Sequence, residues 1–191
     1  MERASPSCST PARCRPVERG GVRLNAAGPG ADESVLPAEI PPRLPISVGA
    51  LITDAGGRLL VLKPTYKAGW TIPGGQMEAD GESPWEACRR EVSEECGLSV
   101  TSARLRCVDF LRPRPGRPGG LRLLFDCGAL GEEEVAAIVV DGGEIAEFRF
   151  VDDADAQQLL RPALRRRVHA ARSTTGVVYL EEGRPVASVT S

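Results

Sequence analysis

The sequence predicts an α/β domain on three observations: an apolar hairpin over residues 46–63, a helix capped at both ends over residues 84–96, and two further strand-like stretches with a helical segment behind them. All of these elements fall within residues 46–191. Residues 1–45 hold eight of the 16 prolines and no Phe, Trp or Tyr. Such a stretch buries too little apolar surface to offset its ordering entropy, so a disordered Pro-rich tail is expected there. It lacks the roughly 7–15 apolar residues of a secretory signal, and no part of the chain supplies the roughly 18–20 of a membrane span. A cytoplasmic protein with no membrane partner is expected.

Charge narrows the chemistry. The chain has 24 Lys plus Arg against 26 Asp plus Glu, a formal net charge of -2. That balance leaves no extended nucleic-acid surface, and any phosphate recognition has to be local. His169 is the one histidine, too few for a His-rich metal cage. Carboxylate chemistry remains. The six cysteines form no CxxC pair; Cys88, Cys96, Cys107 and Cys127 sit among apolar residues and read as buried thiols, while Cys8 and Cys14 belong to the tail.

In chain order, residues 46–53 (ISVGALIT) and 58–63 (RLLVLK) are strands joined by the turn Ala55-Gly56-Gly57. A short strand at Trp70-Thr71-Ile72 then meets Pro73-Gly74-Gly75, a turn able to bring backbone close to a ligand. A loop runs to Glu82. The helix from Pro84 to Cys96 follows, with Ser83 as N-cap, Pro84 in the first turn, Glu86 closing a capping box and Gly97 as the left-handed C-cap.

At about 100° per residue, Trp85, Cys88, Val92 and Cys96 form a buried stripe. Measured from Trp85, Glu94, Glu91 and Glu95 project at roughly 180°, 240° and 280°, one acidic strip beside the core, with Arg90 near 140°, one turn before Glu94. Carboxylates crowded at a helix C-terminal half repel one another and the dipole. A hard cation with oxygen ligands, Mg²⁺ or Mn²⁺, resolves that conflict.

The string from Gly75 through Glu82, Arg90-Glu91-Val92 and Glu94-Glu95 to Gly97-Leu98 resembles the Nudix box of the Nudix hydrolase superfamily, G-x5-E-x7-R-E-U-x-E-E-x-G-U, where U is bulky and aliphatic. It departs once: six residues separate Gly75 from Glu82 instead of five, the extra one falling within Glu78-Ala79-Asp80-Gly81.

The resemblance implies an α/β/α sandwich with a mixed β-sheet and Mg²⁺-dependent cleavage of the diphosphate of a nucleoside diphosphate linked to another moiety. It implies Glu91 and Glu95 as principal metal ligands, Glu94 as a further ligand or water-positioning group, a backbone ligand at Gly75, a water-mediated or loop-fixing role for Glu82, and Arg90 as the residue that orients a box glutamate. The expected partner is a small nucleotide-type diphosphate, with a homodimer an allowed assembly. A catalytically silent nucleotide-binding sensor of the same fold is the alternative.

Glu144 and Glu147 are the candidates for a general base outside the box; their opposite strand parity lets at most one face the site. Strand-like residues 105–111 and 121–127 flank a Pro-rich loop in which Arg112, together with Arg122 just beyond it, is a candidate substrate-phosphate contact. Glu132–Glu134 reads as a solvated turn. Residues 154–172 read as a helix interrupted at Pro162, with Arg165–Arg167 a solvated face and His169 at the surface, and residues 176–189 as a terminal hairpin.

Overall fold

The computed structural model describes residues 43–140 and 142–189. The expected tail lies outside the described residues, except for residues 43–45. These last belong to the domain, because the Leu121 N–H donates to the Pro45 carbonyl at 2.9 Å.

Eleven elements follow one another: β1 (Ile46–Asp54), β2 (Leu59–Pro64), α1 (Pro84–Cys96), β3 (Arg104–Leu111), β4 (Gly120–Leu130), α2 (Glu132–Ala136), β5 (Ile145–Val151), α3 (Asp153–Leu159), α4 (Pro162–Arg172), β6 (Val178–Glu181) and β7 (Arg184–Pro185). The seven strands make one sheet in the order β5-β2-β1-β4-β3-β6-β7. It is mixed: β1 lies parallel to β4 and β3 parallel to β6, whereas the remaining neighbours are antiparallel.

Alternation along β1 and β2 divides the core between two faces. Ala50, Ile52, Leu60 and Leu62 pack with Cys88, Val92 and Cys96 of α1. Leu51, Leu59 and Val61 point the other way and pack with Val168 and Ala171 of α4. Helices therefore cover both faces, which is the expected α/β/α sandwich.

The caps of α1 form as the sequence requires. Ser83 Oγ accepts from the Glu86 N–H, the Glu86 carboxylate accepts from the Ser83 N–H at 2.8 Å, and Gly97 ends the helix at φ 68°. Behind it, the helical segment breaks at Leu160-Arg161 into α3 and α4, because Pro162 cannot extend an N–H to the preceding turn. Glu132–Glu134 is exposed as expected, but it opens the short helix α2 and is not merely a turn. Cys88, Cys96 and Cys107 are buried free thiols.

The Arg165–Arg167 triplet departs from its expected solvated face. Arg167 donates to Asp109, a fully buried carboxylate on β3. Arg166 Nε donates to the Gly183 carbonyl and Arg165 Nη1 to the Gln157 carbonyl. A buried acid 58 residues away in sequence recruits the arginine, and nothing in the local pattern of α4 announces it.

Candidate active site

The site begins with main-chain stitching. Residues 73–77 run beside β1, held by Ala50 N–H to the Pro73 carbonyl (2.8 Å), Val48 N–H to the Gly75 carbonyl (2.9 Å) and Met77 N–H to the Ile46 carbonyl (3.0 Å). This leaves no room for side chains at the turn. A Cβ on Gly74, at φ 140°, would lie 2.3 Å from the Val48 carbonyl oxygen. One on Gly75 would lie 2.3 Å from Glu91 Oε1, so this glycine exists to let α1 bring a carboxylate against the backbone.

Glu95 meets the same turn, its Oε2 accepting from the Gly74 N–H at 2.7 Å. Burial, opposed by that N–H and reinforced by Glu91, pushes the Glu95 carboxyl up to about 7. Burial raises Glu91 as well, against the pull of Arg90. Glu94 is different, with 59% of its side chain exposed. The acidic strip thus grades from a buried Glu95 through Glu91 to a solvated Glu94, in the angular order the helix dictates.

Arg90 bridges the acids. Its guanidinium donates to Glu82 (2.8 Å), Glu91 (2.9 Å), Glu94 (3.0 Å) and the Gln76 carbonyl (3.2 Å). Sequence spacing pointed to the Glu94 contact; the Glu82 contact arises because the loop folds back. Glu82 also accepts from the Glu78 N–H, and Asp80 accepts from the Glu82 N–H. The extra residue is therefore absorbed in a small closed loop, with Gly81 at φ 102°, and α1 is undisturbed. Arg90, with Glu78 second, holds the Glu82 carboxyl below the usual carboxylate range.

The candidate bases separate. Glu144, just before β5, is close enough for its charge to raise both Glu91 and Glu95. Glu147 pairs instead with Arg149 and lies 3.9 Å from Lys63 Nζ, and both cations sit over the Trp70 ring on the α4 side of the sheet. It is not gathered with the box carboxylates. Arg112 is likewise drawn off, to Glu181, with its N–H on Glu182.

Arg122 stays available: it faces a cavity of about 460 Å³ whose rim is the Gly74-Gly75 turn. Lys67, Arg161 and Arg167 line the same cavity. Sequence reading missed these three because they come from a loop, from the N-cap of α4 and from α4 itself. Asp109 did carry a signal, a charged residue at an apolar position of β3.

The donor set suits a hard divalent cation: two desolvated carboxylates side by side, each disfavoured in its charged form, beside a backbone carbonyl. Among the described residues no three of these groups converge as they stand, because Arg90 and the Gly74 N–H take up their oxygens.

Together these features define a mixed-sheet sandwich with a glutamate helix pressed on a glycine turn. Residues 43–171 match the family model of the NUDIX domain, and the chain belongs to that family. A MutT-like protein from Streptomyces ambofaciens is 38% identical over 97 residues, covering 51% of this chain and 60% of that protein. The crystal structure of a MutT protein from Methanosarcina mazei Go1 superposes with a TM-score of 0.56 at 25% identity, covering 68% of this chain and 93% of the other. The NUDIX domain of Shewanella oneidensis NrtR, complexed with ADP ribose, gives a TM-score of 0.55 at 16% identity over 75% of this chain and 92% of its own.

Proposed function

We propose that the protein is a Mg²⁺-dependent hydrolase of the diphosphate bond in a nucleoside diphosphate linked to another moiety. The observation that carries this is the pair of buried Glu95 and partly buried Glu91 held against Gly74-Gly75 at the mouth of a cationic cavity.

Glu91 and Glu95 would hold Mg²⁺, or Mn²⁺ in its place, with Glu94 and the free lone pair of the Gly75 carbonyl as further ligands and Glu82 behind them. When bound, the cation supplies charge neutralisation to the diphosphate and acidity to water. Arg90 keeps the carboxylates aimed while the site is empty of substrate and orients Glu91 and Glu94. Lys67, whose charge is felt at Glu95, steadies the diphosphate at the cavity rim. Glu144 takes the proton from the attacking water as its oxygen bonds to one phosphorus and the bridging P–O bond breaks, the electron pair leaving on the departing phosphate. The gathered carboxylates favour turnover over a silent sensor, for which such a costly pair has no use.

The test is release of nucleoside monophosphate or inorganic phosphate from ADP-ribose, nucleoside triphosphates, dinucleoside polyphosphates and nucleotide sugars with Mg²⁺ or Mn²⁺. Turnover that collapses in Glu95→Gln is expected. Inactivity on the whole panel, or full activity in Glu95→Gln, would overturn the reading.

A further inference from the structure

The cavity beside the glutamates has the opposite charge. Lys67, Arg122, Arg161 and Arg167 line it, and among the described residues no Asp, Glu, Phe, Tyr or Trp does. Asp109 compensates Arg167. The other three are held only by neutral groups: Lys67 by the Tyr66 hydroxyl (3.1 Å), Arg161 by the Ala68 carbonyl (2.8 Å) and Arg122 by the carbonyl of its neighbour Leu121 (3.1 Å). None of them forms an ion pair with a carboxylate among the described residues, although Asp109 faces Arg122 across β3 and β4 and Glu95 feels the charge of Lys67.

Arg122 is the telling member. It projects from the middle of the sheet, partly buried, beside Arg167. Burial and that neighbouring guanidinium both work against its charge. Asp109, opposite Arg122 across β3 and β4, offsets this only in part because the same carboxylate already pairs with Arg167, and an anion in the cavity is the natural compensation for the second guanidinium.

The scissile diphosphate does not supply it, because that group must lie at Gly74-Gly75, against Glu91 and Glu95, where Lys67 is the cation felt. Arg122 instead neighbours Arg167 and Asp109, and β1 separates it from that turn, since Ser47 pairs with Arg122 on one side and bridges to Gln76 on the other. Nor do the described residues of the cavity offer an aromatic face on which a base would stack.

We propose that the cavity selects substrates bearing a further phosphoryl group beyond the scissile diphosphate, bound by Arg122 with Arg161. This rests on the hydrolase reading and narrows it from diphosphates in general to polyanionic ones.

The test compares substrate pairs that differ by one phosphoryl group on either side of the diphosphate: ADP-ribose with its 2′-phosphate, and a nucleoside diphosphate with the triphosphate. In at least one pair the more phosphorylated member should show a kcat/KM about tenfold or more higher, as one charge-assisted contact supplies. Arg122→Gln should bring the ratio close to one, and Arg122→Lys should restore part of it. A wild-type ratio near one in both pairs, or a ratio untouched by Arg122→Gln, overturns the inference and leaves the hydrolase reading standing.

Absence of all turnover would defeat the hydrolase reading instead. Calorimetric titration of the full chain with inorganic tripolyphosphate in EDTA then decides for the cavity. Binding weakened about tenfold by Arg122→Gln supports the inference, whereas undetectable binding, or binding the substitution leaves alone, overturns it. Circular dichroism checks the fold; should Arg122→Gln not fold, Arg161→Gln at an exposed position carries the same comparisons.

Discussion

Glu95→Gln should cripple catalysis and at the same time stabilise the metal-free protein at alkaline pH. The Glu95 carboxyl is displaced from its ordinary 4.5 to about 7, chiefly by burial. A carboxyl whose pKa is raised on folding favours the fold below its unfolded pKa, and that advantage disappears as pH climbs through the folded value. The window is therefore about pH 4.5 to 7, and the charged form at pH 8 costs about 3 kcal/mol from the shift at 1.36 kcal/mol per unit. Gln has the same shape, keeps an oxygen for the Gly74 N–H and carries no charge. In EDTA at pH 8 its melting temperature should exceed that of wild type by roughly 6–12 °C, and at pH 4 the two should nearly coincide. Thermal melts by circular dichroism at pH 4, 6 and 8 measure this. Equal melting temperatures at pH 8, or a gap that widens on acidification, would refute the reasoning.

Gly75→Ala should leave the protein folded, since the flexible Glu91 side chain is what its Cβ would strike, yet lower kcat/KM at least about tenfold in a phosphate-release assay. Gly74→Ala meets the Val48 carbonyl at φ 140° and should instead compromise the fold, seen as a lowered melting temperature or insoluble protein. Asp109→Ala strands Arg167 in a near-buried position and should cost about 3–5 kcal/mol in urea unfolding. Ser83→Ala removes a cap oxygen and should cost about 1 kcal/mol in the same measurement.

What the sequence made legible was whatever its local signals determine. Ser83, Pro84, Glu86 and Gly97 bound α1 because caps act within one turn, and the 100° rotation put Glu91, Glu94 and Glu95 on one strip beside the core, whose grading from buried Glu95 to exposed Glu94 emerges in the structure. The rest depends on contacts distant in sequence. Arg167 looked solvated until β3 brought Asp109 to it, and Glu147 stands apart from the box carboxylates because its place on β5 faces the α4 side of the sheet, whereas Glu144 precedes β5 close to Glu91 and Glu95. Lys67, Arg122 and Arg161 belong to three separate segments, so no spacing rule links them; only the fold assembles their cavity. Residues 43–45 joined the domain through one bond to β4, invisible in a proline-rich composition.

Hydrolysis in ¹⁸O-labelled water with Mg²⁺, followed by mass spectrometry of both phosphate products, tests the central claim most directly. A single ¹⁸O in one of the two products, formed by wild type and lost in Glu95→Gln, is the expected result. Substrate that binds and is recovered intact and unlabelled would contradict it.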